Sequence, residues 1–273
     1  LELVKAIILG VVQGLSEFLP ISSSGHLVLI SKILNFNQQG IAFEVFVHFG
    51  TLLAVLVVFR KDIWELIKAI PGIPAFLSNG MKVSSSEHEY PALFVYLFLG
   101  TIPAAILGVL FEEQVEKYFD NVLFVLLALM VTSIIMWSSR YTREKLSFMN
   151  GNHSILIGIA QALAIVPGIS RSGSTIVTGL WLGIRRELVA KYSFLLSVPV
   201  ILGATVLKLK SLIEVPPQSS ELINIIGGTI AAALSGYLAI IWLLDIIQKQ
   251  KLEWFGIYTA AVSILGLTIL FLL

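Results

Sequence analysis

The 273 residues contain no cysteine, which removes disulfides, thiolate nucleophiles and thiolate metal ligands. Charge is scarce as well. Asp, Glu, Lys and Arg make up 13% of the chain, against about 25% in a soluble domain, so little of the surface is built to face water. The net charge is +1, with no basic run and no stacking platform, so nothing in the sequence speaks for nucleic acid. What fills the space is apolar: 57% of residues are hydrophobic and the mean hydropathy is +0.92. That balance belongs to a polytopic membrane protein surrounded by membrane lipids.

Six apolar segments can each cross about 30 Å of hydrocarbon as a helix. They are residues 41–59, 91–111, 121–138, 188–207, 222–244 and 254–273. Two further apolar regions are interrupted. Residues 1–19 meet Pro20 and three serines, then the run resumes over 27–34. Residues 154–166 meet Pro167, Gly168 and a second polar cluster, then the run resumes over 175–184. Non-helical backbone survives at membrane depth only inside protein or along a wet cavity. Both regions are therefore expected to be re-entrant helical hairpins. Lys5 and the run AIILGVV have no small-residue cleavage site behind them and read as working chain rather than signal peptide. Residues 62–78 read equally as an interfacial helix ending near Pro71 or as an ordinary loop. Residues 79–89, with His88, and the acidic stretch 112–120 read as loops.

The chain repeats itself. At a constant offset of 148, Gly10, Gln13, Ile21, Ser22, Ser24 and Gly25 match Gly158, Gln161, Ile169, Ser170, Ser172 and Gly173. Later, Gly100-Thr101-Ile102 returns as Gly228-Thr229-Ile230. The expected fold is an all-α polytopic membrane protein of two repeats, 1–139 and 154–273, integrated into one membrane domain. Each repeat holds a hairpin (1–35 and 154–184) and three spans. An odd number of spans inverts the second copy and puts a site near the bilayer midplane between the halves. This topology places Lys5, Lys32, Lys117, Lys208 and Lys210 on one side and Arg171 within the membrane. The rest of the 18 Lys and Arg residues lie on the other side, which is then cytoplasmic. The first hairpin enters from the external side, the second from inside, and their tips meet.

The chemistry gathers at the tips. Residues 13–26, QGLSEFLPISSSGH, hold Gln13, Glu17, Ser22, Ser23, Ser24 and His26; residues 167–175, PGISRSGST, hold Ser170, Arg171 and Ser172. Helices beginning just past each tip aim free N–H groups and a positive dipole end at the site, which suits phosphate. The serines fit N-caps as well as phosphate ligands. Arg171 adds a planar cation that needs an anionic partner at this depth. Glu17 and Gln13 share one helical face. Glu17 can help bind a divalent cation, orient His26, act as acid or base, or simply pair with Arg171. His26 can deprotonate a serine with Glu17 orienting it. Glu44 and His48 form an i,i+4 couple expected to support the site from behind. Transport of a phosphorylated lipid by a transporter or flippase is the alternative that inverted repeats alone suggest.

The motifs in residues 13–26 and 167–175 resemble the undecaprenyl-pyrophosphate phosphatase family, also called bacitracin-resistance proteins, and the likeness in length and hydropathy covers the chain. The resemblance implies a multi-pass enzyme of the bacterial plasma membrane with interdigitated inverted repeats. Its site opens to the external side. It removes the terminal phosphate of undecaprenyl pyrophosphate, which recycles the lipid carrier of cell-wall synthesis and confers bacitracin resistance. It implies dependence on Mg²⁺ or Ca²⁺. The family's functional residues fall on Gln13, Glu17, Ser23, His26, Ser170 and Arg171, with Ser23 as nucleophile and His26 as its base; attack by His26 or by water stays open. The first position of the acidic box can be Glu in the family and is Gln13 here, so a scheme needing two carboxylates there is not served. The expected partners are the isoprenyl pyrophosphate lipid and, for assembly, a second copy in a homodimer.

Overall fold

The computed structural model describes residues 2–36, 41–81, 89–214, 216–249 and 251–272. His88 lies outside them. The described residues form helices, joined by turns and one isolated bridge between Leu146 and Ile184. Helices dominate because each closes its own backbone hydrogen bonds, which hydrocarbon cannot do for it.

The chain opens with α1 (Glu2–Phe18) and α2 (Ser23–Leu34), then α3 (Ile41–Val58). Next come the short α4 (Arg60–Lys68) and α5 (Ile73–Ser78), then α6 (Glu89–Phe119) and α7 (Val122–Ser138). The second half holds α8 (Gly151–Leu163), α9 (Arg171–Trp181), α10 (Arg186–Glu214), α11 (Ser219–Gln248) and α12 (Glu253–Leu272). Five stretches are long and apolar enough to cross a membrane, within α6, α7 and its following turn, α10, α11 and α12; a sixth counts α3 together with α4, which turns away from it by 77°.

Three expectations are corrected. The second arm of each hairpin starts at Ser23 and Arg171, earlier than its apolar run. Ser22 and Ser170 cap these helices, their Oγ atoms accepting from Gly25 N (3.2 Å) and Gly173 N (3.1 Å). In residues 62–78 the first helix, α4, does end near Pro71, but the segment is not finished there: a 3₁₀ turn, Ile70–Gly72, carries that proline, and α5 follows with Pro74 in its first turn, where no N–H is missed. The stretch 112–120 is no loop, because α6 continues to Phe119.

The two halves exchange arms. In α1, Gly10 lies so close to Gly228 of α11 that an added Cβ would overlap the Gly228 carbonyl. In α8, Gly158 meets the Gly100 carbonyl of α6 in the same way. Only a residue without a Cβ allows such an approach. Between α7 and α12, Ser133 Oγ donates to Gly256 O (2.7 Å) and Ser263 Oγ to Leu126 O (2.7 Å). Polar links of this kind hold helices together where lipid gives no hydrophobic drive. The hairpin tips are thereby wedged among α3, α7, α11 and α12.

Candidate active site

Glu17, near the end of α1, is the hub. It is 8% exposed, and both its oxygens are engaged. Oε1 accepts from Arg171 Nη2 at 2.5 Å. Oε2 accepts from Ser23 Oγ at 2.6 Å and from Gln13 Nε2 at 3.0 Å. The Arg171 pair crosses from one hairpin to the other and is the plain ion pair that the sequence left open. A buried carboxylate is tolerable here because charge and hydrogen bonds compensate it together. His48 Nε2 on α3 stands 3.7 Å from Glu17 Oε2. Its Nδ1 lies 2.8 Å from the Glu44 carbonyl oxygen. A carbonyl only accepts, so Nδ1 carries a proton, and Nε2 carries one only as the imidazolium that the carboxylate attracts.

The three adjacent serines have different duties. Ser22 is buried and caps α2 from a backbone with φ 73°. That left-handed conformation costs a β-substituted residue about 1–3 kcal/mol. It aims the Ser22 carbonyl at His26, accepting from the backbone N (3.2 Å) and lying 2.8 Å from Nδ1. Ser24 Oγ accepts from Gly168 N (3.3 Å) in the opposite tip. Reciprocally, Ser172 Oγ donates to Leu19 O (3.3 Å) and Ser170 Oγ contacts Ser172 Oγ (3.3 Å). Ser22, Ser24, Ser170 and Ser172 thus already have work inside the fold, as caps and as an interlock. Ser23 is the partly exposed serine whose hydroxyl meets the carboxylate.

His26 is not where triad logic expects it. It sits one helical turn past Ser22 and Ser23. Its ring folds back on the Ser22 carbonyl, and Nε2 meets the Tyr258 hydroxyl at 2.9 Å. The resting hydrogen-bond partner of Ser23 is Glu17. Two residues that local sequence does not single out complete the setting. Tyr258 on α12 stacks on His26, with ring centroids 5.6 Å apart and planes 10° apart. Thr132 on α7 clamps the second tip, donating to Gly168 O (2.8 Å) and accepting from Ser170 N (3.0 Å).

Beside the first tip runs a groove of about 600 Å³. Leu15, Leu19, Ile21, Trp242, Phe255 and Tyr258 line it, together with Lys249 and Lys251. Among the described residues no three of His, Cys, Asp and Glu converge as a metal cluster. Two oxygen donors do meet a weaker requirement. Gln13 meets Glu17 through its amide Nε2, and its Oε1 is a buried oxygen without a hydrogen-bond partner. One carboxylate and one amide oxygen suit a hard divalent ion whose remaining ligands are phosphate oxygens and water. The neutral amide thus does not prevent Gln13 from serving as a ligand.

Two interlocked tips with an arginine and a carboxylate-bound serine, beside an apolar groove, make a comparison with known proteins specific. The family described as Bacitracin resistance protein BacA matches residues 6–265. The chain belongs to that family. Among its relatives is an undecaprenyl-diphosphatase of Methanobrevibacter smithii, 42% identical over 270 residues, which covers 97% of this chain and 96% of that protein. Others are the undecaprenyl-diphosphatases of Halothermothrix orenii, 42% identical over 269 residues with 97% of each covered, and of Carboxydothermus hydrogenoformans, 42% identical over 276 residues with 98% and 96% covered. For this BacA family member, the match runs through both hairpins and reaches α12, so the Tyr258 contact lies within the matched length.

Proposed function

We propose that the chain is a membrane phosphatase that hydrolyses undecaprenyl pyrophosphate to undecaprenyl phosphate and phosphate. In this reading it recycles the lipid carrier for cell-wall synthesis and confers resistance to bacitracin. The observation that carries the reading is Arg171 reaching across the tips to a carboxylate that also holds Ser23. The names of the relatives supply the substrate class.

The pyrophosphate takes Arg171 and the first-turn N–H groups of α2 and α9, which no intrahelical carbonyl reaches. Arg171 cannot serve phosphate and Glu17 at full strength together. Its move leaves Ser23 as a close partner of the carboxylate. Ser23 Oγ then attacks the terminal phosphorus while Glu17 takes its proton, and undecaprenyl phosphate leaves. Water releases phosphate from Ser23. His26, one turn further on, supplies through Nε2 the base for that second step. Glu17 and Gln13 would be the residues to hold a Mg²⁺ or Ca²⁺ ion, which would supply neutralisation of phosphate charge.

We read the protein as a plasma-membrane enzyme whose site opens to the external side, supported by the Lys and Arg asymmetry. The exchanged contacts of Gly10 and Gly158 support two inverted repeats, 1–139 and 154–273. Arrangement as a homodimer stays part of the proposal and is read by mass in detergent.

Purified protein is expected to release phosphate from a prenyl pyrophosphate in detergent, with no membrane gradient. Ser23→Ala and His26→Ala should each lower kcat by about 10²–10⁴-fold, the usual worth of a nucleophile or base. Wild-type rates in both variants would overturn this mechanism, whereas lipid movement without phosphate release would support the transporter or flippase reading. A chelator of divalent ions is expected to abolish phosphate release, and Mg²⁺ or Ca²⁺ to restore it. In Gln13→Ala, restoration should need a higher ion concentration. Full activity in excess chelator would remove the ion from the scheme.

A further inference from the structure

His26 has one nitrogen left for chemistry, and the fold has closed it. The Ser22 carbonyl oxygen lies 2.8 Å from Nδ1. A carbonyl only accepts, so Nδ1 must carry the proton and Nε2 a lone pair. The Tyr258 hydroxyl, 2.9 Å from Nε2, must therefore donate to it. The parallel stacking of the two rings holds both in register. In this state Nε2 cannot take a proton from water or from serine.

The same tyrosine belongs to a second setting. Its ring forms part of the apolar wall of the groove lined by Leu15, Leu19, Ile21 and Trp242. Leu19 and Ile21 of the first tip also line that groove, so through Tyr258 it adjoins the tip that carries His26. Apart from Lys249 and Lys251 the lining of the groove is apolar and aromatic. An uncharged, flexible hydrocarbon chain attached to the bound pyrophosphate matches this lining.

We infer that Tyr258 is a specificity-determining residue: its hydroxyl latches Nε2 of His26, and the isoprenyl chain of the substrate, packing along the groove against the tyrosine ring, releases it. The inference rests on the phosphatase reading and adds the reason why a chain, and not only a pyrophosphate, is needed for turnover. Substrate with a chain long enough to lie in the groove frees Nε2; a pyrophosphate with almost no chain leaves the latch closed most of the time. One neutral hydrogen bond biases such an equilibrium by about 3- to 10-fold, which sets the size of the effect.

The test compares farnesyl pyrophosphate with isopentenyl pyrophosphate on the purified full chain. In the wild type, kcat should be larger for farnesyl. In Tyr258→Phe, which keeps the ring and removes the donor, kcat for isopentenyl pyrophosphate should rise about 3- to 10-fold with KM unchanged. The farnesyl rate should change less than the isopentenyl rate, so the ratio of the two should fall by about 3- to 10-fold. The ratio of the two rates within one preparation does not depend on how much protein is folded. Leu15→Trp, which puts a larger side chain into the groove lining, should pull the farnesyl rate down to the isopentenyl level, and adding Tyr258→Phe should lift both. Equal rates for the two substrates in the wild type would show that the groove holds something else, such as a host-lipid acyl chain, and would overturn the inference. A Tyr258→Phe variant that slows both substrates equally, or changes neither, would overturn it too. If the wild type releases phosphate from neither substrate, the phosphatase reading itself fails, a result distinct from an active enzyme with an unaltered ratio.

Discussion

Arg171→Ala is expected to abolish phosphate release, with a loss of about 10³-fold or more in kcat, because a guanidinium that stabilises transferring phosphoryl charge is worth that much. Arg171→Lys should recover only a fraction. It restores the charge but not the planar fork that can hold two oxygens at once. The substitution has a second effect that must be separated from the first. Arg171 is the cation on Glu17, at 2.5 Å, and removing it strands a buried carboxylate at a cost of about 3 kcal/mol. Arg171→Ala should therefore also lower the unfolding temperature in detergent. Adding Glu17→Gln removes the stranded charge, so the double variant should regain stability while staying inactive. A single variant that turns over near the wild-type rate would refute the placement of phosphate at the tips. A double variant as unstable as the single would show that the ion pair is not what holds the hairpins together.

The parts of this site that sequence made legible share one property: their chemistry is out of place where they stand. A carboxylate, an imidazole and a guanidinium inside apolar runs are visible without a structure, so Glu17, His26 and Arg171 stood out. The Glu17–Arg171 pairing was foreseeable as one of several outcomes. Gln13 beside Glu17 follows from i,i+4 spacing and is seen, at 3.0 Å. Thr132 and Tyr258 were not legible, because a threonine and a tyrosine on an apolar span look like ordinary membrane residues until the helix face that meets a tip is known. The His26 geometry was misjudged for a local reason. His26 was expected to face a serine hydroxyl, whereas α2 already begins at Ser23 and folds the ring one turn back on the Ser22 carbonyl. Hydropathy also located the membrane rather than the helix ends. It broke α6 at residue 111 where charge begins, yet charged residues outside the bilayer continue a helix readily, and α6 runs to Phe119.

Gly10→Val and Gly158→Val are expected to be the most damaging substitutions far from the tips. A Cβ at Gly10 meets the Gly228 carbonyl and one at Gly158 meets the Gly100 carbonyl. The obstacle in both cases is backbone, which cannot turn aside as a side chain can. The helices must separate, breaking the packing that orients α1 against α11 or α8 against α6, at a cost of about 3 kcal/mol. Each arm carries one tip, so the loss reaches the site: displacement of about 1 Å between Glu17 and Arg171 is enough to cost about 10²-fold in rate. Gly203→Val on α10 is the control, since nothing lies within 4 Å of a Cβ there, and valine fits a helix slightly better than glycine. Thermal unfolding in detergent should show Gly203→Val unchanged and the other two lowered. The pair also tests the repeats. If the halves are inverted copies that exchange arms, the two substitutions act on equivalent contacts and should lower stability to a similar degree. A large effect at Gly10 with none at Gly158 would leave the two halves related in sequence but not in the way they are held.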